Sequence, residues 1–540
     1  MRILLSCVLI LAATSPGQEH AHGNGERLGT VHFESSCNRE AQSELDRAVA
    51  LLHSFEFSNA IAGFNAALKD DATCTIAYWG IALSQWSNPF ASGLKDQSQL
   101  QAGRAAAEQG KKAGAKTERE RDYITAAATL YENFENTSQR TRLIAYRNRM
   151  AALSAKYPTD HEAQIFYALS IAASEDPADK TYAGRLKAGE ILETLFEEEP
   201  NHPGLAHYII HTYDVPPLAP QALNAARRYS EIAPDAPHAL HMPSHTFTRM
   251  GYWQDSIHSN LAAVTAARHQ GETAEELHAS DYLVYAYLQT GQDEAAGRIL
   301  ASLPEVSSRF DPRKIIGGAA GPSVGYFALA AIPARYALER GDWKQATQLT
   351  PHDTPFPYTQ AMTWFARGLG SARIGESKPA WEAADQLKEL RERLLKSGEG
   401  YWALQVQIEE AEIRAWALLA DSKRDEALRS MESAAALEDG TEKSAITPGP
   451  LAPAHELYGE MLLLANEPGP ALAQFETTLK KEPRRFRATY GAGHAAELAG
   501  RRDLSQRYFR ELLEICERGD KPGRAELIEA EQATLRGTSE

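Results

Sequence analysis

The chain has 540 residues, of which 43% are hydrophobic and 24% charged, with a formal net charge of −16. These are globular values, and the length suits several ordinary domains or one long solenoid. The acidic balance excludes nucleic acid and anionic membrane surfaces as partners, since both select a basic patch.

The N-terminus reads as a secretory signal peptide over residues 1–18. Arg2 is the positive start, Ile3–Ala13 are apolar, and Ala13, Ser15 and Gly17 offer small residues for cleavage. Cys7 lies inside the apolar run, too early for a lipid-attachment cysteine. No later stretch reaches about 18 uninterrupted apolar residues, so no membrane span is expected. The expected location is the periplasm or the medium. Residues 19–40 are polar and contain glycine, and read as a flexible lead-in that carries His20 and His22.

Three cysteines remain beyond the signal. Cys37 precedes the first helix of one repeat and Cys74 the first helix of the next. Equivalent points of stacked repeats are neighbours, so a Cys37–Cys74 disulfide is feasible in an oxidising compartment. Two small buried thiols are the alternative. Cys516 has no evident partner.

From Ala41 a helical repeat begins. Ala48, Leu51, Phe57, Ala60, Phe64 and Ala67 fall where a tetratricopeptide (TPR) unit alternates small and large residues between two helices. Asn88-Pro89 breaks the register, and helices of atypical length are expected at Ser98–Ala113, Glu118–Glu132 and Thr141–Tyr157. Register returns near Asp160. Helices follow at 184–200, His202–Tyr213, Pro220–Ile232, Pro237–Gly251, Trp253–His269, His278–Thr290, Asp293–Leu300, Tyr326–Arg340 and Trp343–Leu349. Helix pairs then cover 360–397, 401–438, 452–481 and 485–517. Gly251, Gly291 and Gly341 suit left-handed helix ends. Strand-like alternation is not sustained. The expected fold is all-α: a TPR-type α-solenoid over 41–540, a superhelix of antiparallel helix pairs.

The segments LDRAVALLHSFEF, AYWGIALS, PHALHMPSHTFTRMG, HASDYLVYAYLQ and LEDGTEKSAITPGPLAPAHELYGEMLL resemble a family of exported bacterial TPR proteins. The resemblance covers nearly the whole mature chain. It implies the fold and export, and supplies no activity and no catalytic residue.

The sharpest chemical signal lies in NHPGLAHYIIHTYD and APHALHMPSHTFTRMG. His207 and His211 are four apart, and His241 and His245 repeat the pair 34 residues later, which is the TPR period. Both pairs fall at positions 5 and 9 of their repeats, with His238 at position 2. One repeat on, His278, Asp281 and Tyr285 hold positions 2, 5 and 9. Residues so spaced share one helix face, and in a TPR superhelix that face lines the concave groove. A metal site of His207, His211, His241, His245, His278 and Asp281 is therefore expected. Imidazole and carboxylate ligands suit zinc, copper, nickel or iron. No glutamate stands between either histidine pair, unlike the zinc-protease helix motif. An anion- or peptide-binding groove and a duplicated structural choice are the alternatives. Pro243, between His241 and His245, breaks the local helix rule and leaves open whether the two share a face.

Further groove candidates are His238, Tyr285, Arg335 and His455. The segment TEKSAITPGPLAPAHELYGEML reads either as a plain inter-repeat loop or as a flap bringing Glu442, Lys443 or His455 over the groove. The functional expectation is an exported scaffold with a metal or ligand site in its groove. A metal-dependent enzyme and a pure protein-interaction scaffold are the alternatives, and the partner is a protein, a peptide or a small molecule.

Overall fold

The structure, a computed structural model, describes residues 25–91, 93–313 and 318–537. The expected signal peptide lies outside these residues, as do His20 and His22. Among the described residues the regular elements are 26 α-helices and short 3-10 turns, with no strand. Each helix packs on the next in sequence, so the chain is an all-α solenoid of antiparallel pairs. No described helix is long and apolar enough to cross a membrane.

The repeat positions explain the packing. Ala48, Ala60 and Ala67 are fully buried and let Arg39–His53 and Phe57–Asp70 approach closely, while Leu51, Phe57 and Phe64 fill the space beside them. Gly251, Gly291 and Gly341 end their helices with φ of 67°, 66° and 65°. Cys37 and Cys74 are joined, with Cα atoms 4.6 Å apart. Cys516 is buried and unbonded.

Four local features depart from the sequence expectation. Residues 26–38 do not form a flexible lead-in. Leu28, Val31 and Phe33 are buried, Phe33 stacks on Trp79 at 4.7 Å, and Thr30 N donates to Asn201 O at 2.9 Å. The helix expected from His278 starts at Thr273, directly after Gly271 closes the previous one. The helix expected to stop at Leu300 runs to Arg309, because Pro304 is absorbed within it. A last helix, Ala525–Gly537, packs on Arg502–Ile515.

The largest departure is closure. Helix Thr273–Gln289 packs on Trp253–Gln270, Asp293–Arg309, Pro322–Glu339 and, from the far end of the chain, Phe486–Leu498. Every one of its residues except Tyr287 is buried. Trp253 Nε1 donates to Arg484 O at 2.9 Å, and Arg524 reaches Asp293 and the carbonyls of Leu288 and Glu339. The superhelix has curled until its C-terminal repeats meet its middle. The face expected to line an open groove is therefore an enclosed polar core.

Candidate metal centre

Six histidines occupy that core, contributed by four helical segments. His207 and His211 stand on Pro203–Thr212, His238 and His241 on Pro237–His241, His245 on Pro243–Arg249, and His278 on Thr273–Gln289. Pro243 does not separate His241 from His245. Met242, between the segments, keeps helical backbone angles (φ −53°, ψ −36°), and His245 N donates to Met242 O at 3.1 Å. Proline stands first in its segment, where its missing N–H costs least.

The six form two triads. His207, His211 and His238 make one, His241, His245 and His278 the other, and within each triad one ligand nitrogen per residue lies within 4.8 Å of the others. Each triad joins positions 5 and 9 of one repeat to position 2 of the next. Ring contacts link them, His211 to His245 at 5.7 Å and His238 to His241 at 6.1 Å. All six are buried, from 0% exposed at His207 to 6% at His278.

Hydrogen bonds orient the rings. His207 Nδ1–H donates to the carbonyl of His53 at 2.6 Å, His241 Nδ1–H to Asn260 Oδ1 at 2.7 Å, and His245 Nδ1–H to Asp214 Oδ2 at 3.1 Å. In each case Nδ1 is the donor, which leaves Nε2 as a bare lone pair. Metal-ligating histidines are oriented by such partners. The Nε2 atoms of His241 and His245 lie 3.1 Å apart. Two nitrogens on one tetrahedral zinc, each bonded at 2.0–2.1 Å, would lie about 3.3 Å apart. In the first triad His207 Nε2, His211 Nε2 and both ring nitrogens of His238 have no hydrogen-bond partner in the protein. Glu275, 3.7 Å from His238 Nδ1, is too far to bond.

Electrostatics favour the neutral form of His207, His211, His241, His245 and His278. Burial lowers His207, His211 and His241 well below the usual imidazole range, and their neighbouring imidazoles lower them further. Burial brings His278 down to about 3. His245 is also lowered by burial, against the pull of Asp214. Burial alone would raise Asp214, but Lys443, Arg249 and His245 hold it well below the carboxylate range. Neutral imidazole is the form that binds metal.

The remaining sequence candidates lie elsewhere. Asp281 does not face the histidines. Its carboxylate takes Arg335 Nε at 2.8 Å and Nη2 at 3.4 Å, both side chains being fully enclosed. Position 5 alone does not decide whether a side chain leans toward the preceding repeat or the following one, and Arg335 on the following helix claims it. Arg335 also donates to Thr447 Oγ1 at 2.7 Å, so its carboxylate is internal and not a groove ligand's. Tyr285 OH sits between Arg485 Nη1, at 3.1 Å, and Glu482, at 3.4 Å. His455 bonds Gln474 and Asp439. The 441–453 segment does cover the core: Tyr282 OH lies 3.0 Å from Ala445 O and 3.1 Å from Thr447 O, and Lys443 Nζ lies 3.3 Å from Asp214.

Sequence reasoning missed five participants. Asp214 closes the NHPGLAHYIIHTYD run, and its place one turn beyond His211 was the available signal. Asn260 comes from the neighbouring helix and carries no spacing signal. His53 and His202 flank Glu162 in a third buried group, with Nε2 to carboxylate distances of 2.9 and 3.1 Å. Burial would raise Glu162, but the two imidazoles hold it below the carboxylate range. The carboxylate thus bridges the two rings, and His202 Nδ1 is left without a hydrogen-bond partner.

No protein-family model matches the chain, and no curated protein sequence does. Among solved structures it is similar to yeast Tom70, at 13% identity over 92% of this chain and 96% of that one, with a TM-score of 0.29. It is similar to a human IFIT1 dimer with m7Gppp-AAAA, at 9% identity over 89% and 96%, with a TM-score of 0.36. It is similar to the P58(IPK) TPR domain, at 13% identity over 85% and 98%, with a TM-score of 0.22. At these identities and scores the likeness says nothing of what the chain binds.

Proposed function

We propose that the protein is an exported metal-binding α-solenoid that holds a transition metal ion (zinc, copper, nickel or iron) in its buried histidine core. One observation carries this reading: His207, His211 and His238 aim unpartnered ring nitrogens at one another in a site closed to solvent. Each buried nitrogen left without a partner costs about 1–3 kcal/mol. His207 Nε2 is a bare lone pair, each neutral imidazole beside it can turn one lone pair inward, and a cation satisfies all three at once. The second triad supports the same reading through the His241–His245 Nε2 separation of 3.1 Å. Export is supported by the signal-like N-terminus and by the Cys37–Cys74 bond, a chemistry of oxidising compartments.

A metal-dependent enzyme is the second reading. Three nitrogens per triad leave a fourth coordination position, as in catalytic zinc sites. Exchange of water on the bound metal separates an enzyme from a storage or structural site. A protein or peptide partner on the outer helix faces is compatible with either.

Elemental analysis of protein recovered from its native compartment tests the proposal. We expect up to two equivalents of a transition metal, one lost in His207→Ala and the other in His241→Ala, with helix content by circular dichroism nearly unchanged. Parent protein that takes up no metal after incubation with Zn²⁺, or a double variant that retains the parent's metal, would overturn it.

A further inference from the structure

None of the six histidines lines a cavity of about 130 Å³ walled in part by Phe327, Tyr358, Trp402 and Leu451. The 441–453 segment runs between the two. Thr447 lines the cavity, while its carbonyl receives the Tyr282 hydroxyl on the histidine side. One wall is aromatic: the Trp402 ring lies flat on Tyr358, with centroids 4.0 Å apart and planes 10° apart.

The same helix, Gly400–Ala420, carries Trp402 and, about two and three turns on, Glu409 and Glu412, all three lining the cavity. Glu412 is 1% exposed, and its Oε1 has no hydrogen-bond partner; neither has Glu409 Oε2. No cation among the described residues pairs with either. The cations on the cavity wall are held by carboxylates outside it: Arg335 by Asp281, Lys443 and Arg249 by Asp214, and Lys481 by Asp439. Glu438, the acid beside them, is hydrogen-bonded to Ala454 N at 3.2 Å. Burial pushes Glu409 up to about 8 and Glu412 well above the carboxylate range. Glu412, buried, and Glu409, half-buried, thus line one cavity with the Trp402 ring, and neither has a counter-ion among the described residues.

We propose that this cavity binds an organic cation, a primary ammonium or guanidinium on an apolar body, its head between Glu409 and Glu412 and its body on Trp402. A cation here gains two charge-assisted hydrogen bonds and the negative face of an indole. Its binding releases to solvent the protons that burial keeps on the two carboxyls, whereas a neutral ligand leaves both acids protonated. The head group comes either from a free amine or from a lysine or arginine side chain of a peptide. This site stands independently of the metal reading.

Isothermal titration of the full mature chain tests it. The probes are phenethylamine, the neutral isostere phenethyl alcohol, and an end-blocked tripeptide with a central lysine beside its norleucine counterpart. We expect at least one cationic probe to bind at least tenfold tighter than its neutral isostere. Glu412→Gln should remove that preference and leave the weak binding of the neutral probe unchanged. Preference for phenethylamine alone assigns a free amine, and preference for the lysine peptide alone assigns a protein segment. Equal affinity within both pairs, or no binding by any probe, overturns the proposal. The isostere comparison on the parent chain decides the matter even if Glu412→Gln fails to fold.

Discussion

His241 and His245 face each other through Nε2 atoms 3.1 Å apart, and neither ring can supply a proton to the other while its Nδ1 keeps its present partner. Asn260 fixes the first ring and Asp214 the second. The contact is a pair of lone pairs held together by outer hydrogen bonds, which is the state a metal ligand must be in before the metal arrives.

Asn260 is therefore the cleanest outer residue to test. It is buried and uncharged, whereas Asp214 also neutralises Arg249 and Lys443, so its loss would strand two buried cations. Asn260→Ala should lower affinity for Zn²⁺ about 10–100-fold, the usual effect of losing an outer partner. Asn260→Asp keeps an acceptor opposite His241 Nδ1 and should restore most of the affinity. Competition against a fluorescent chelator measures both. Equal affinity in parent and Asn260→Ala would show that His241 is not a ligand.

The solenoid was legible because helix pairs leave a local mark: small residues such as Ala48 and Ala60 at fixed spacing, and prolines and glycines at helix ends. The 34-residue phase was enough to bring His207 to His211 and His241 to His245, because helical geometry alone places i and i+4 on one face. What could not be read is what depends on distant chain. His53 reaches the core from 154 residues before His207, and nothing in its helix announces it. Asp281 has the phase of a ligand, yet Arg335 claims it across a helix pair. Closure of the superhelix sums small rotations over many repeats, and no single repeat encodes that sum.

Gly204 marks how His53 enters. It holds position 2 of its repeat, where the next two repeats carry His238 and His278. A Cβ there would lie 2.3 Å from His53 Nδ1, so the ring from the first repeat takes the space that the local side chain would fill. Gly204→Ala should displace His53 from Glu162 and Tyr208 and cost about 1–3 kcal/mol, as overpacking of a buried site does. Urea unfolding checks this, and an unchanged midpoint would mean that His53 moves freely.

The Cys37–Cys74 bond closes a separation of 37 residues and ties the first repeat to the second. In the chain-entropy account such a loop contributes about 3–4 kcal/mol. Cys37→Ser should lower stability by that order, and a non-reducing peptide map of the exported protein should show the two peptides linked. A free thiol at both positions would show that the chain matures in a reducing compartment.

Glu409 gives the pH dependence its sign. Its folded carboxyl is raised to about 8 by burial from an ordinary value of 4.5. Between these values the folded protein keeps a proton that the unfolded chain has released. The acid's contribution to stability is therefore fully present below about pH 4.5 and is lost as pH rises through about 8. Glu412, raised in the same way, adds to the trend. Glu409→Gln carries no titrating proton, so at pH 8.5 it should be more stable than the parent by about 1–2 kcal/mol, and at pH 4.5 equal to it. Urea midpoints at the two pH values measure this. A saturating organic cation should produce the opposite curve in the parent, because it stabilises the ionised carboxylate, so the parent's loss of stability above neutral pH should shrink when phenethylamine is present. A difference between parent and Glu409→Gln that is the same at both pH values would mean that Glu409 ionises in the folded chain as it does in water.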